Sequence, residues 1–136
     1  MGSAGDSTEN IILDSILGDQ HSVLIANTVY VTLFTAAPND SGGGTEVSNV
    51  GSGFARVALA NTSTNWPNAV NGAKWNGVTV QFPISISDWG TVTHWGIFDD
   101  ATAGTLLLWG ALDRDLTIVS GNAPYFSPGD LTVYAD

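Results

Sequence analysis

The feature that most restricts this chain is a change of hydrophobic period near residue 22. Upstream, apolar side chains recur at helical spacing over one short stretch. Downstream they alternate every second residue, in short runs closed off by Gly, Pro, Asn and Asp. Alternation is clearest in Val29-Tyr30-Val31-Thr32-Leu33-Phe34, in Val78-Thr79-Val80-Gln81-Phe82 and in Leu131-Thr132-Val133-Tyr134, where every second side chain can face a core. Segments of this character cover 22–27, 29–35, 55–60, 78–82, 92–98, 106–112, 116–119 and 131–135, and the first two can form one strand. No long helix is interleaved with them, which excludes parallel βαβ wrapping and leaves antiparallel sheets stacked face to face. The expected fold is therefore all-β, an antiparallel β-sandwich (jelly-roll-like), with a short N-terminal helix and arm. Residues 1–21 form the arm and helix, and residues 22–136 the sandwich domain.

The helical stretch is expected over residues 8–17. Asp6 followed by Glu9 fits a capping box, Ile12/Ile16 and Leu13/Leu17 are i,i+4 pairs, and Gly18 supplies the stop. Residues 1–8 are small and polar and read as a flexible arm. A helix of this length is marginal alone, so Ile12, Leu13, Ile16 and Leu17 must dock on the domain's own sheet or on a neighbouring subunit. The intrachain docking is the plainer expectation. Two connections, 36–53 and 61–75, are long for a compact domain and read as surface loops.

Charge narrows the partners. Three basic residues, Arg56, Lys74 and Arg114, stand against thirteen acidic ones, for a net charge of −10. Three scattered cations cannot displace the counterions of a phosphate backbone or hold an anionic lipid surface, so neither nucleic acid nor membrane is expected. Only 12% of residues are charged, below the usual quarter or more of a small soluble surface. Either Ser, Thr, Asn and Gly supply the missing polarity, or partners cover part of the outside. Arg56 and Arg114 each have many carboxylates to choose from, within the chain or across a subunit interface, where Arg is enriched. The N-terminus has no basic leader and no apolar run of spanning length, which reads as synthesis and retention in a cytoplasm until assembly.

Signals for chemistry are weak. Cysteine is absent, so thiolate metal sites and cysteine nucleophiles are excluded. His21 and His94 are the only imidazoles and no G-x-S-x-G elbow occurs, so no catalytic residues and no enzyme are expected. His94 is assigned to structure. Asp88, Asp99, Asp100, Asp113, Asp115 and Asp130 all adjoin turns. They read as turn formers, since the spacing of a calcium loop is absent; neither metal nor cofactor is expected. Of the tryptophans, Trp95 and Trp109 sit in strand patterns and are expected in the core. Trp66 and Trp89 are expected as exposed contacts, with Trp66 the stacking platform if the chain is a carbohydrate-binding β-sandwich module.

Several motifs occur together in a telling order: ENIILDSILG (9–18), VYVTLFTAAPNDSGGGTEVS (29–48), GFARVAL (53–59), NGVTVQFP (76–83), WGTVTHWGIFD (89–99), LLLWGAL (106–112) and PYFSPGDLTV (124–133). This series resembles the small virion structural proteins of tailed bacteriophages, both tail-fibre-like and capsid-decoration-like. In those proteins a Leu/Asp helix precedes a Y-x-x-L-(F/H)-T-x-x-P strand and turn, a G-(Y/F)-x-R strand and a W-G-x-(V/I)-x-x-x-G-(I/L)-(F/Y)-D hairpin. The resemblance implies a non-enzymatic virion component. By analogy with other small β-domains bearing N-terminal arms, the expected role is a capsid decoration or cement protein on the head shell. A tail or tail-fibre component contacting the host is the alternative. The expected partners are the major capsid protein or other virion proteins, with a homo-oligomer natural on a symmetric shell. The interface is expected at Ile12, Leu13, Ile16, Leu17, Arg56, Trp66 and Arg114.

Overall fold

The computed structural model describes residues 2–18 and 26–134, so His21, most of the expected strand 22–27 and Ala135 lie outside the described residues. In chain order the elements are β1 (Gly2–Ala4), α1 (Asp6–Ile16), β2 (Thr28–Ala36), β3 (Thr45–Glu46), β4 (Val57–Ala60), β5 (Ala73–Trp75), β6 (Val80–Gln81), β7 (Gly90–Phe98), β8 (Leu106–Ile118), β9 (Tyr125–Phe126) and β10 (Thr132–Tyr134). The main sheet runs β3-β2-β7-β8-β1-β10-β5, with β4 also pairing β2; β6 and β9 form a second, two-stranded sheet. All pairs are antiparallel except β1 with β10. The expected mostly antiparallel β fold with a short N-terminal helix is the one observed.

The two sheets share one aromatic core. The second sheet and the residue that follows β6 supply Val80, Phe82 and Phe126, and the main sheet supplies Val29, Val31, Leu33, Val92, Trp95, Ile97, Leu107 and Ile118. Phe82 meets Phe126 edge-on at 6.0 Å and stacks on Phe54 at 6.1 Å, and Phe54 meets the edge of Trp89 at 5.2 Å. Each such fully buried side chain contributes about 1.5–3 kcal/mol of transfer free energy, so this cluster is what closes the sheets on one another.

In the middle of β2 the alternation breaks down. Thr32 and Phe34, which point away from the core, are buried as well. Phe34 packs against Phe98 at 6.3 Å on this second face. Gly96 sits beneath that contact. A Cβ on it would lie 2.6 Å from the Phe34 ring and 3.0 Å from Leu106, so a strand residue with any side chain would push a buried ring aside.

β7 and β8 carry a large irregularity. Val92 faces Leu116 and His94 faces Ala111, so the two steps from 92 to 94 are matched by five from 111 to 116. Asp113, Arg114 and Asp115 are extruded there into solvent. The separate strands expected over 106–112 and 116–119 are thus one strand, broken in register but not in direction.

Residues read as a flexible arm instead form β1, in the interior of the sheet. Gly2, Ser3 and Ala4 face Gly110, Trp109 and Leu108 of β8, and Gly2 also pairs with Val133 of β10. Gly, Ser and Ala have little strand propensity of their own. The free backbone groups of two flanking strands impose the conformation. The same contact corrects the helix start. The helix begins at Asp6 with Gly5 as N-cap and no side-chain cap, so no capping box forms. The Gly5 N–H donates to Leu107 O at 3.0 Å, and a Cβ on Gly5 would lie 2.9 Å from Leu106 O. The chain therefore enters the helix pressed against β8, and Asp6 turns toward Ser41 Oγ at 3.4 Å. Gly18, at φ +103°, provides the expected stop.

The short strands β3 and β5 lie inside the segments read as loops. Beyond β5, Asn76 is fully buried. Its Nδ2 donates to Val78 O at 2.9 Å and Ser127 O at 3.0 Å, while its Oδ1 accepts from Leu131 N at 2.9 Å and Gly129 N at 3.2 Å. One side chain thereby stitches the 76–78 turn to the approach of β10.

Candidate interaction site

Among the described residues, α1 is fastened only at its base. Asp6 N donates to Asp40 O at 3.0 Å, and Thr8 is the helix's buried residue. Beyond it the side chains emerge into solvent: Ile12 is 46% exposed, Leu13 60%, Ile16 70% and Leu17 76%. Intrachain docking of this face, the plainer expectation from sequence, is not seen among the described residues. At 3.6 residues per turn Ile12, Leu13 and Ile16 lie within an arc of about 100°, a solvent-exposed apolar face that the extended C-cap residue Leu17 prolongs. Ile11, also exposed, lies outside that arc. Asp6, Glu9 and Asp14 are the helix's charged residues, and its last turn has no base.

The remaining residues expected at an interface lie elsewhere, and two of them are buried. Arg56, whose side chain is 7% exposed, forms a bidentate pair with Glu46: Nε to Oε2 at 2.7 Å and Nη2 to Oε1 at 3.0 Å. Its Nη1 donates to Asp100 O and Ala103 O, both at 2.8 Å, and its guanidinium carbon sits 3.7 Å from the centre of the Phe98 ring. Glu46 also accepts from Thr32 Oγ1. All three nitrogens of the fork are engaged inside the chain, so the structure forms the plain intrachain bridge. Arg56 and Glu46 form part of the wall of an open depression of about 450 Å³ that also takes in Ser48, Asn49, Phe54 and Thr102.

Trp66 is 8% exposed and belongs to the core cluster, which corrects its expected role as an exposed contact. Its ring has no free face on which a sugar could stack. Trp89 is buried as well, with Nε1 donating to Ser52 O at 2.9 Å. The loops that looked exposed by composition fold back over these rings. Of the pair expected in the core, Trp95 is 3% exposed, whereas Trp109 is half-buried and its Nε1 donates to Asp40 Oδ1 at 3.3 Å. Arg114 stands in solvent on the β8 bulge.

His94 Nδ1 lies 2.8 Å from Thr93 Oγ1 and the ring lies against Trp109 at 6.1 Å, contacts of a structural residue. The acidic residues near turns mostly cap them: Asp88, Asp99 and Asp130 accept from Ser120 N, Thr105 N and Ser127 N at 2.7–2.8 Å. Among the described residues, no three His, Asp or Glu side chains gather as a metal cluster. One apolar surface was not legible from sequence. Ile84 and Ile86 are 64% and 68% exposed, while Ser85 between them is buried, its single hydroxyl donor within 2.7 Å of Val119 O and 2.9 Å of Asn122 O. The alternation was visible, but it is inverted: the Ser85 hydroxyl finds backbone carbonyls inside, which holds the serine in and turns both isoleucines out.

Residues 3–134 match the model of a protein family described as podophage GP4 fiber I protein gp80. No curated protein matches the chain.

Proposed function

The chain belongs to this podophage fiber I protein family, and from that premise we propose that it is a non-catalytic building block of the fibre, held in the particle by its N-terminal helix. A member of a phage fibre family is a virion structural protein, assembled after synthesis in the host cytoplasm. The observation that carries the anchor is the orientation of α1: Ile12, Leu13, Ile16 and Leu17 face solvent while the core closes without them. Apolar faces of this kind on folded proteins mark interaction sites. Strand β1 fixes the base of the helix to the sheet, so a partner gripping α1 also holds the domain.

The family's description names a fibre, which supports the fibre reading beside the head-shell cement role expected from the sequence. The carbohydrate-module reading loses its platform with the burial of Trp66. The test is a cryo-electron map of the particle together with a Leu13→Asp variant. Density at a fibre or its attachment, lost in the variant, is the expected result. Density over capsomer junctions would return the cement reading, and full occupancy of Leu13→Asp would refute the anchor.

A further inference from the structure

Taking the anchor reading as its premise, we infer that α1 seats in an apolar groove rimmed by Lys or Arg on a different virion protein, and not against a second copy of this chain. The first argument is charge. Glu9 lies one turn before Leu13 and three residues before Ile12, at the N-terminal end of the apolar face, and Asp14 lies on its flank. The helix has no base in its last turn, so the negative end of its dipole is left uncompensated beside Ile16 and Leu17. A groove receiving this helix meets negative charge at both ends and along one side. Cations at those positions satisfy all three.

A second copy has too few cations to supply all three. Of the chain's three cations, Arg56 is enclosed by Glu46, Asp100 and Ala103, and Arg114 is flanked on the β8 bulge by Asp113 and Asp115. Lys74 on β5 and Arg114 between its two carboxylates are all that remain, against a net charge of −10 on each copy.

The second argument is area. The exposed parts of Ile12, Leu13, Ile16 and Leu17 amount to roughly 400–500 Å². Pairing two helices face to face buries no more than that per chain, about half of the roughly 800 Å² per partner that a stable interface needs. A groove encloses the helix on its flanks as well and so reaches the required area. This is helix-in-groove recognition, with anchors at i, i+1, i+4 and i+5.

The test uses the full-length protein and purified phage particles made without it. Wild-type protein should rebind the particles, with affinity falling as salt is raised from about 50 to 500 mM. Glu9→Lys combined with Asp14→Lys should weaken rebinding about tenfold or more, while Leu13→Asp should abolish it. Both variants alter exposed positions, and circular dichroism checks that they fold. Sedimentation of the protein alone should give the same mass for wild type and Leu13→Asp. If the charge reversal leaves rebinding unchanged or tightens it, the basic rim is refuted and the anchor stands. If Leu13→Asp dissociates an oligomer of the protein alone, the occupant is a second copy and the inference is wrong. If Leu13→Asp rebinds like wild type, the anchor reading fails and takes the inference with it.

Discussion

Replacing Arg56 by methionine separates an internal clamp from a bridge between subunits, because methionine keeps an aliphatic chain over Phe98 and removes only the charge and the fork. The bidentate contact with Glu46 is worth about 1.5–3 kcal/mol for charge-assisted bonds in a mostly buried setting. The Glu46 side chain is 29% exposed and regains some hydration when its partner leaves, which places the loss at the lower end. The carbonyls of Asp100 and Ala103 are at exposed positions where water replaces the donors, so they add about 0.5 kcal/mol each. Loss of the guanidinium over the Phe98 ring adds about 0.5–1 kcal/mol. The sum is about 3 kcal/mol. For a chain of 136 residues the unfolding entropy is near 0.3 kcal/mol per degree, so Tm should fall by about 10 °C. In urea the midpoint should drop by about 1–3 M at an unchanged slope. Arg56→Lys should lose about half as much, since an ammonium cannot make both bonds to Glu46. Combining Arg56→Met with Glu46→Gln should show a coupling energy of about 1–2 kcal/mol. A Tm within about 2 °C of wild type in purified protein would refute the clamp. If that same variant also failed to enter particles, Arg56 would be the subunit bridge that the sequence left open.

Two further substitutions test the fold that presents α1. Asn76→Ala removes four hydrogen bonds from a fully buried side chain and leaves the Leu131 N–H without an acceptor; unfolding in urea should show a loss of about 3–4 kcal/mol, and a loss under 1 kcal/mol would mean that water replaces the amide. Gly96→Ala should cost about 1–3 kcal/mol by driving a methyl into the Phe34 ring, and a neutral result in the same assay would show that the second face of β2 yields freely.

Much of this protein is local information. The strands over Thr28–Ala36 and Gly90–Phe98 were legible because alternation of apolar and polar side chains is a property of each segment alone. The helix was legible from its i,i+4 pairs, and the poverty in Lys and Arg already argued against nucleic acid as a partner. The family's motifs lie along the chain in fixed order, so the virion role was legible too. The missing parts depend on residues far apart. Gly2–Ala4 became an interior strand because β8 and β10 leave backbone groups unpaired beside it, which no reading of Gly-Ser-Ala reveals. Trp66 and Trp89 were expected outside because their neighbours are turn formers, yet each loop carries its ring back into the core. Arg56 had thirteen carboxylates to choose from, and only the approach of β3 and the 100–103 loop selected Glu46 and two carbonyls. The sequence could state that α1 has an apolar face, since that depends on spacing along one helix. Where the helix stands on the sheet depends on Gly5 pressed against β8, a contact across a hundred residues that only the tertiary structure decides.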